Sequence, residues 1–254
     1  MPTRRIALGS LAAALIALTL GPAGAADRLS IVATTGMIAD AAREVGGARV
    51  EVRTLMGPGI DPHSYRQTRS DIVATAQADL VLWHGLYLEA QMEGFLQDLA
   101  EERPVVAVAE SLPRNLLIAH DDYEDKHDPH VWMNPNLWAR VVLTVRDALI
   151  ERDPQGEADY RANAAAHLDE LERLARYTTE VLSSVPADRR VLVTAHDAFN
   201  YFGSAYGFEV VGIQGISTES EAGLKRIREL VDLLVERDIG AVFVETSVSD
   251  RNIR

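Results

Sequence analysis

Short apolar runs alternate along this chain with stretches whose apolar residues return every three or four positions. Leu29–Thr34 and Val50–Leu55 show the first pattern and predict strands. Met37–Val45, between them, shows the second and predicts a helix stopped by Gly46 and Gly47. Asp71–Gln77 predicts a helix that Thr68 or Ser70 can cap, Asp79–Trp83 a buried strand, Leu88–Glu101 a helix and Pro104–Val108 another strand. Pro135 suits the first turn of a helix over Asn136–Ile150. From Gln155 to about Val185 one helical pattern runs unbroken, with Leu168, Leu171, Leu174, Val181 and Leu182 on its stripe, until Pro186 ends it. At ~1.5 Å per residue this helix spans roughly 45 Å.

That length exceeds what one small lobe needs, so the helix can run along two lobes as a stiff spine. Beyond it the alternation restarts: Val191–Ala195, Phe208–Ile213 and Ala241–Glu245 predict strands, Asp197–Tyr206 and Glu221–Glu236 helices. Strands separated by helices imply right-handed βαβ units and mainly parallel sheets. The expected fold class is α/β, two lobes with parallel sheets joined by one long rigid helix. The expected division is an export leader over residues 1–25, an N-terminal lobe over 26–154, a linking helix over 155–185 and a C-terminal lobe over 186–254. Three strands in the second lobe against four in the first make it read as incomplete. Residues 113–128 break the rhythm. Their polar, acidic centre, Ala119 to Asp128, predicts a solvated loop.

Composition narrows the chemistry. The formal net charge of −13 argues against a nucleic-acid partner or an anionic membrane surface. The 254 residues contain no cysteine, which excludes disulfides, thiolate metal sites, cysteine nucleophiles and a lipid-modified N-terminal cysteine within them. Any metal must be held by imidazole and carboxylate. Arg4 and Arg5, the apolar run Ile6–Leu20 and Ala23-Gly24-Ala25 form an export signal with a small-residue cleavage site, so a periplasmic location is expected. Thr3-Arg4-Arg5-Ile6 also permits a twin-arginine route.

Asp61-Pro62-His63 and Asp128-Pro129-His130 repeat one tripeptide, and His196 follows the strand Val191–Ala195. Each histidine lies beyond the end of an extended segment, where parallel α/β sheets bind their ligands. A cleft between lobes can therefore collect His63 and His130 from one side and His196 from the other. Imidazole suits Zn²⁺ and other late first-row ions, and a carboxylate fourth ligand would admit Mn²⁺. Asp61, Asp128 and Asp197 adjoin the three rings, as orienting acceptors or as ligands. On chemistry alone, three unrelated loop histidines remain the competing reading. His84 follows a strand and can face the same cleft or play a structural part. His120 and His127, among acidic residues, read as a weak metal loop or merely a solvated one, and His167 has no assigned role. Tyr65, Trp132, Trp138, Phe199, Tyr201 and Phe202 read as cleft wall or as core.

At these residues the chain resembles the zinc/manganese solute-binding proteins of bacterial ABC importers. The resemblance is carried by Gly59-Ile60-Asp61-Pro62-His63-Ser64-Tyr65, Asp128-Pro129-His130-Val131-Trp132-Met133-Asn134-Pro135 and Thr194-Ala195-His196-Asp197-Ala198-Phe199. It implies two α/β lobes bridged by one long helix, with the metal buried between them. It also implies ligands at His63, His130 and His196, Zn²⁺ or Mn²⁺ as the bound substrate, and delivery by a monomer to a membrane permease. The family usually draws a fourth ligand, an aspartate, from the last part of the second lobe; no residue here matches it, and Glu245 is a weak substitute. The loop before the second motif is short and more acidic than histidine-rich. That leaves manganese open, while three imidazoles favour zinc. The competing classes are a zinc-dependent hydrolase using the three-histidine site and a metal-binding adhesin of the same fold. The hydrolase lacks an H-E-x-x-H or G-x-S-x-G motif.

Overall fold

A computed structural model describes residues 28–120, 123–219 and 222–248; the expected leader lies outside the described residues. Strands β1 (Leu29–Ala33), β2 (Val50–Thr54), β3 (Leu80–Trp83) and β4 (Val105–Ala107) form a wholly parallel sheet in the order β2-β1-β3-β4. Helices α1 (Gly36–Gly46), α2 (Arg69–Gln77) and α3 (Glu93–Ala100) connect them. Alternate residues serve two cores. Ile31, Ala33, Leu80 and Leu82 face α1 and α4 (Pro135–Arg152), whereas Val32, Val81 and Trp83 meet Met92 and Leu96. Both faces are covered, so the strands read as continuous apolar runs. Thr68 is the cap of α2, within a capping box with Asp71.

The long helix α5 spans Glu157–Ser183, 27 residues or about 40 Å. Its first half is fixed to the N-terminal lobe. Arg49 and the Tyr160 hydroxyl both donate to Asp153 Oδ2 (2.8 Å each), and Asn163 donates to the Val45 carbonyl (3.0 Å). Beyond its end, Arg190 donates to the carbonyls of Val185 and Ser183 and fastens the second lobe's first strand to it. That lobe holds parallel strands β5 (Val191–His196) and β6 (Glu209–Gln214) with helices α6 (Asn200–Tyr206) and α7 (Leu224–Glu236). The chain is thus an α/β fold of two lobes, each with a parallel sheet, and one long helix.

Three expectations need correction. The helix expected over Leu88–Glu101 begins only at Glu93. Gly85, Leu86 and Tyr87 all lie in the left-handed region (φ 79, 52 and 67°), which costs about 1–2 kcal/mol for each residue with a side chain. The Glu89 carboxylate accepts from the amides of His84 and Gly85 and from the Thr34 hydroxyl, holding that turn in place of a helix. The strand expected over Ala241–Glu245 is one bridge: Phe243 exchanges backbone bonds with Val193 and Ala195, while the side chains of Phe243 and Val244 stay exposed. The stretch 119–128, expected to be solvated throughout, is exposed at Ala119 and at 123–125 but not at its other anchors. His120 and Asp128 are buried, and backbone bonds from His120 to Lys126 and from Asp128 to Ile118 pin its arms together. On the apolar stripe of α5, Leu174 and Val181 are about half exposed.

Candidate metal centre

Two loops and one strand end meet at the carboxyl side of the two sheets. His63 comes from the irregular segment after β2, His130 from the long connection after β4, and His196 is the last residue of β5. All three rings are buried, at 3%, 1% and 5% exposure. Nε2 of His130 lies 3.3 Å from Nε2 of His63 and 3.3 Å from Nε2 of His196. Two nitrogens each about 2.05 Å from a tetrahedral ion lie roughly 3.3 Å apart, so the spacing suits one shared Zn²⁺-sized cation. Among the described residues these three are the group whose ligand atoms converge; His120, His127 and His167 do not join it.

The ring protons follow from the carboxylates behind them. Asp128 Oδ1 lies 2.7 Å from His130 Nδ1, and Glu245 Oε1 lies 2.8 Å from His196 Nδ1. A carboxylate accepts, so Nδ1 carries the proton and Nε2 is left with its lone pair. The Nε2 lone pairs of His130 and His196 then face one another without a proton between them, and a cation at their shared focus resolves that repulsion. Glu245 stands on the far side of the His196 ring from this focus, as Asp128 does behind His130.

Both Asp-Pro-His turns are built alike. Asp61 Oδ1 accepts from the His63 amide (3.0 Å), and Asp128 Oδ1 accepts from the His130 amide (2.9 Å). Each aspartate thereby fixes the backbone two residues on, and the intervening proline holds φ. Asp197 is not among the residues lining the cavity and instead gives its amide to the Gly215 carbonyl (3.2 Å). His84 does not line it either. Its Nε2 meets the Pro129 carbonyl (2.6 Å), and its ring stacks on Trp138 and abuts Trp132 edge-on, supporting the second turn from below. His63, His130 and His196 line a cavity of about 700 Å³ with Met37, Met56, Trp132, Phe199 and Val244. Of the six aromatic residues in question, Trp132 and Phe199 reach this wall, while Trp138 and Tyr201 are core.

The second lobe supplies contacts that no motif announced. Thr218 Oγ1 donates to Asp61 Oδ2 (2.6 Å), Asn200 Nδ2 to Asp128 Oδ2 (3.1 Å), and the Tyr201 hydroxyl to the Asp128 carbonyl (2.9 Å). The one hint available was valence: an aspartate that spends one oxygen on its own turn has a second oxygen to satisfy.

Burial also sets a pH dependence. Desolvation, then the neighbouring charges of His130 and His196, lowers His63 to about 2. Burial lowers His84 to about 3 against its bond to Pro129. Burial raises Glu89 to about 7, against hydrogen bonds from Thr34 and from the amides of His84, Gly85 and Glu89 itself. Below pH 6.5 the unfolded chain protonates both histidines while the folded one does not, so stability falls with pH. Between 4.5 and 7 Glu89 acts oppositely, because only its folded state holds the proton. The net uptake on unfolding is one proton from 6.5 to 4.5 and two below that. Thermal melts of metal-free protein should therefore fall with acidification and steepen below about pH 4.5; a midpoint independent of pH between 6.5 and 4 would contradict these burials.

A family model described as the periplasmic zinc-uptake complex component A matches residues 31–254 of the chain. Over 227 residues the chain is 45% identical to the manganese-binding lipoprotein MntA of Bacillus subtilis, covering 89% of this chain and 74% of that one. Over 248 residues it is 40% identical to the zinc-binding protein TroA of Treponema pallidum, covering 98% and 80%. The solved structure of that periplasmic zinc-binding protein aligns with a TM-score of 0.86 at 40% identity, over 89% of this chain and 81% of that one.

Proposed function

The chain belongs to the family of the periplasmic zinc-uptake complex component A, and from that premise we propose its function. It is the substrate-binding component of a bacterial ABC importer for a divalent metal, Zn²⁺ or Mn²⁺. It captures the ion between its lobes, with His63, His130 and His196 as ligands, and delivers it to the membrane permease. It works outside the cytoplasm, in the periplasm after removal of its leader, as a monomer. Asp61, Asp128 and Glu245 hold the ligands in place. The observation that carries this reading is the pair of 3.3 Å contacts between buried Nε2 atoms, two of whose rings are oriented by carboxylates.

Membership in a family of transport proteins that bind their substrate weighs against a hydrolase, and no nucleophile or general base beside the trio is implied by any motif. Nitrogen-rich coordination favours zinc over manganese, in line with the general order of divalent affinities. Competition titration should therefore rank Zn²⁺ above Mn²⁺, and protein purified from its native periplasm should carry one of the two by elemental analysis. Uptake of that metal should need both this protein and the permease. Absence of both metals, or uptake unchanged by deletion of the protein, would overturn the proposal.

A further inference from the structure

The two Asp-Pro-His turns each receive a hydrogen bond from the opposite lobe, but the two sides of the cleft are built differently. At Asp128, Asn200 binds the carboxylate and Tyr201 binds the carbonyl. Tyr201 also accepts from the Ile118 amide (3.0 Å), and it is buried in the hydrophobic core of the N-terminal lobe. Parting the lobes here would strand several buried polar groups, so this side behaves as a fixed joint. At Asp61 the tie is slighter. One hydroxyl, from partly buried Thr218 in the loop after β6, meets a partly exposed carboxylate. Its neighbour is a surface pair, Gln91 donating to Glu219.

The ligands differ in the same way. His130 is followed by a short helical turn and α4, and His196 ends a strand. His63 lies in a segment without regular structure between β2 and α2, just after the exposed stretch 57–60, where Gly59 takes a positive φ of 78°. Among the described residues, Asp61 joins that segment's histidine amide, through Oδ1, to the second lobe, through Oδ2, which also accepts from Ser64 Oγ (3.0 Å) within the segment.

We propose that Thr218 is a positioning residue for the metal, a one-bond latch from the second lobe that holds the His63 turn closed on the ion and sets how fast the ion leaves. Release then begins at His63, with the Thr218–Asp61 bond broken and the Asp128 joint intact. This rests on the metal-binding reading above.

The test is Thr218→Val, which keeps the shape and removes the hydroxyl, beside Thr218→Ser, which keeps the hydroxyl. Each protein is loaded with Zn²⁺, and dissociation is followed by stopped flow into excess chelator. A hydroxyl–carboxylate bond of this class corresponds to about a tenfold rate change. Thr218→Val should release the ion about tenfold faster, with association little changed, and Thr218→Ser should release it at the parent rate. A Thr218→Val rate within twofold of the parent, or a Thr218→Ser rate equal to the Thr218→Val one, overturns the latch. His130→Ala in the same series separates the two readings. If it still binds tightly, the ligand assignment fails; if it loses the metal while Thr218→Val behaves like the parent, only the latch fails.

Discussion

His130→Ala should abolish tight metal binding and leave the fold in place. His130 is the middle of the trio: both 3.3 Å contacts run through its Nε2, and its ring centroid lies 5.3 and 5.1 Å from those of His63 and His196, which are 5.8 Å from each other. A structural four-ligand zinc site is worth about 10–16 kcal/mol, so one ligand represents roughly 3 kcal/mol, or about a hundredfold or more in affinity. The loss goes further here. Asp128, with no exposure, would lose the imidazole that its Oδ1 meets at 2.7 Å and keep its charge in a dry site. The control is His167→Ala on α5, where the histidine's charged neighbour is Glu170 at 3.6 Å. Chelator-competition titration should show the first variant weakened beyond measurement and the second equal to the parent, with circular dichroism reporting the same fold for both. Equal affinity in the two variants would remove the trio from metal binding.

The chain's layout was legible where a local signal and the tertiary outcome agree. The apolar runs of β1 and β3 and the pattern of α1 are dictated by burial on known periods, and Pro135 opens α4 as its fixed φ requires. The Asp-Pro-His repeat exposed two candidate ligands because the same side-chain-to-backbone bond is written into both copies. Local reasoning failed where a distant group decided the outcome. Residues 88–92 carry helical spacing, yet the Glu89 carboxylate reaches back to two amides and to Thr34 from β1's end and stabilises a left-handed turn just before them. Ala241–Glu245 has a strand's composition but gains only one rung of pairing. Thr218, Asn200 and the hydrogen-bonding part of Tyr201 were not legible for a related reason. Each is an ordinary polar residue whose meaning comes from an aspartate at least 72 positions away.

Asp128→Asn should weaken metal binding by about 10- to 100-fold, the usual cost of disturbing a carboxylate behind a ligating histidine. Two causes are entangled in that figure. Asparagine keeps an oxygen that can accept from the His130 amide and from Nδ1, but it removes the negative charge that makes Nε2 a better donor to a cation. It also presents an amide NH₂ to Asn200 Nδ2, which now donates to Asp128 Oδ2 at 3.1 Å, so two donors would confront each other. The double variant Asp128→Asn/Asn200→Asp separates these causes. It restores a donor–acceptor pair across the joint and returns the charge, but one residue further from the imidazole. If geometry at the joint dominates, the double variant should recover most of the affinity. If the charge directly behind His130 dominates, it should remain close to the single variant. The burial of Asp128 and its 2.7 Å contact to Nδ1 favour the second outcome, because an ion-pair-like contact in a dry site weakens far more on removal of the charge than a neutral hydrogen bond does. An Asp128→Asn protein with the parent's affinity would mean that the aspartate only shapes the turn, and that His130 needs no anion behind it to hold the metal.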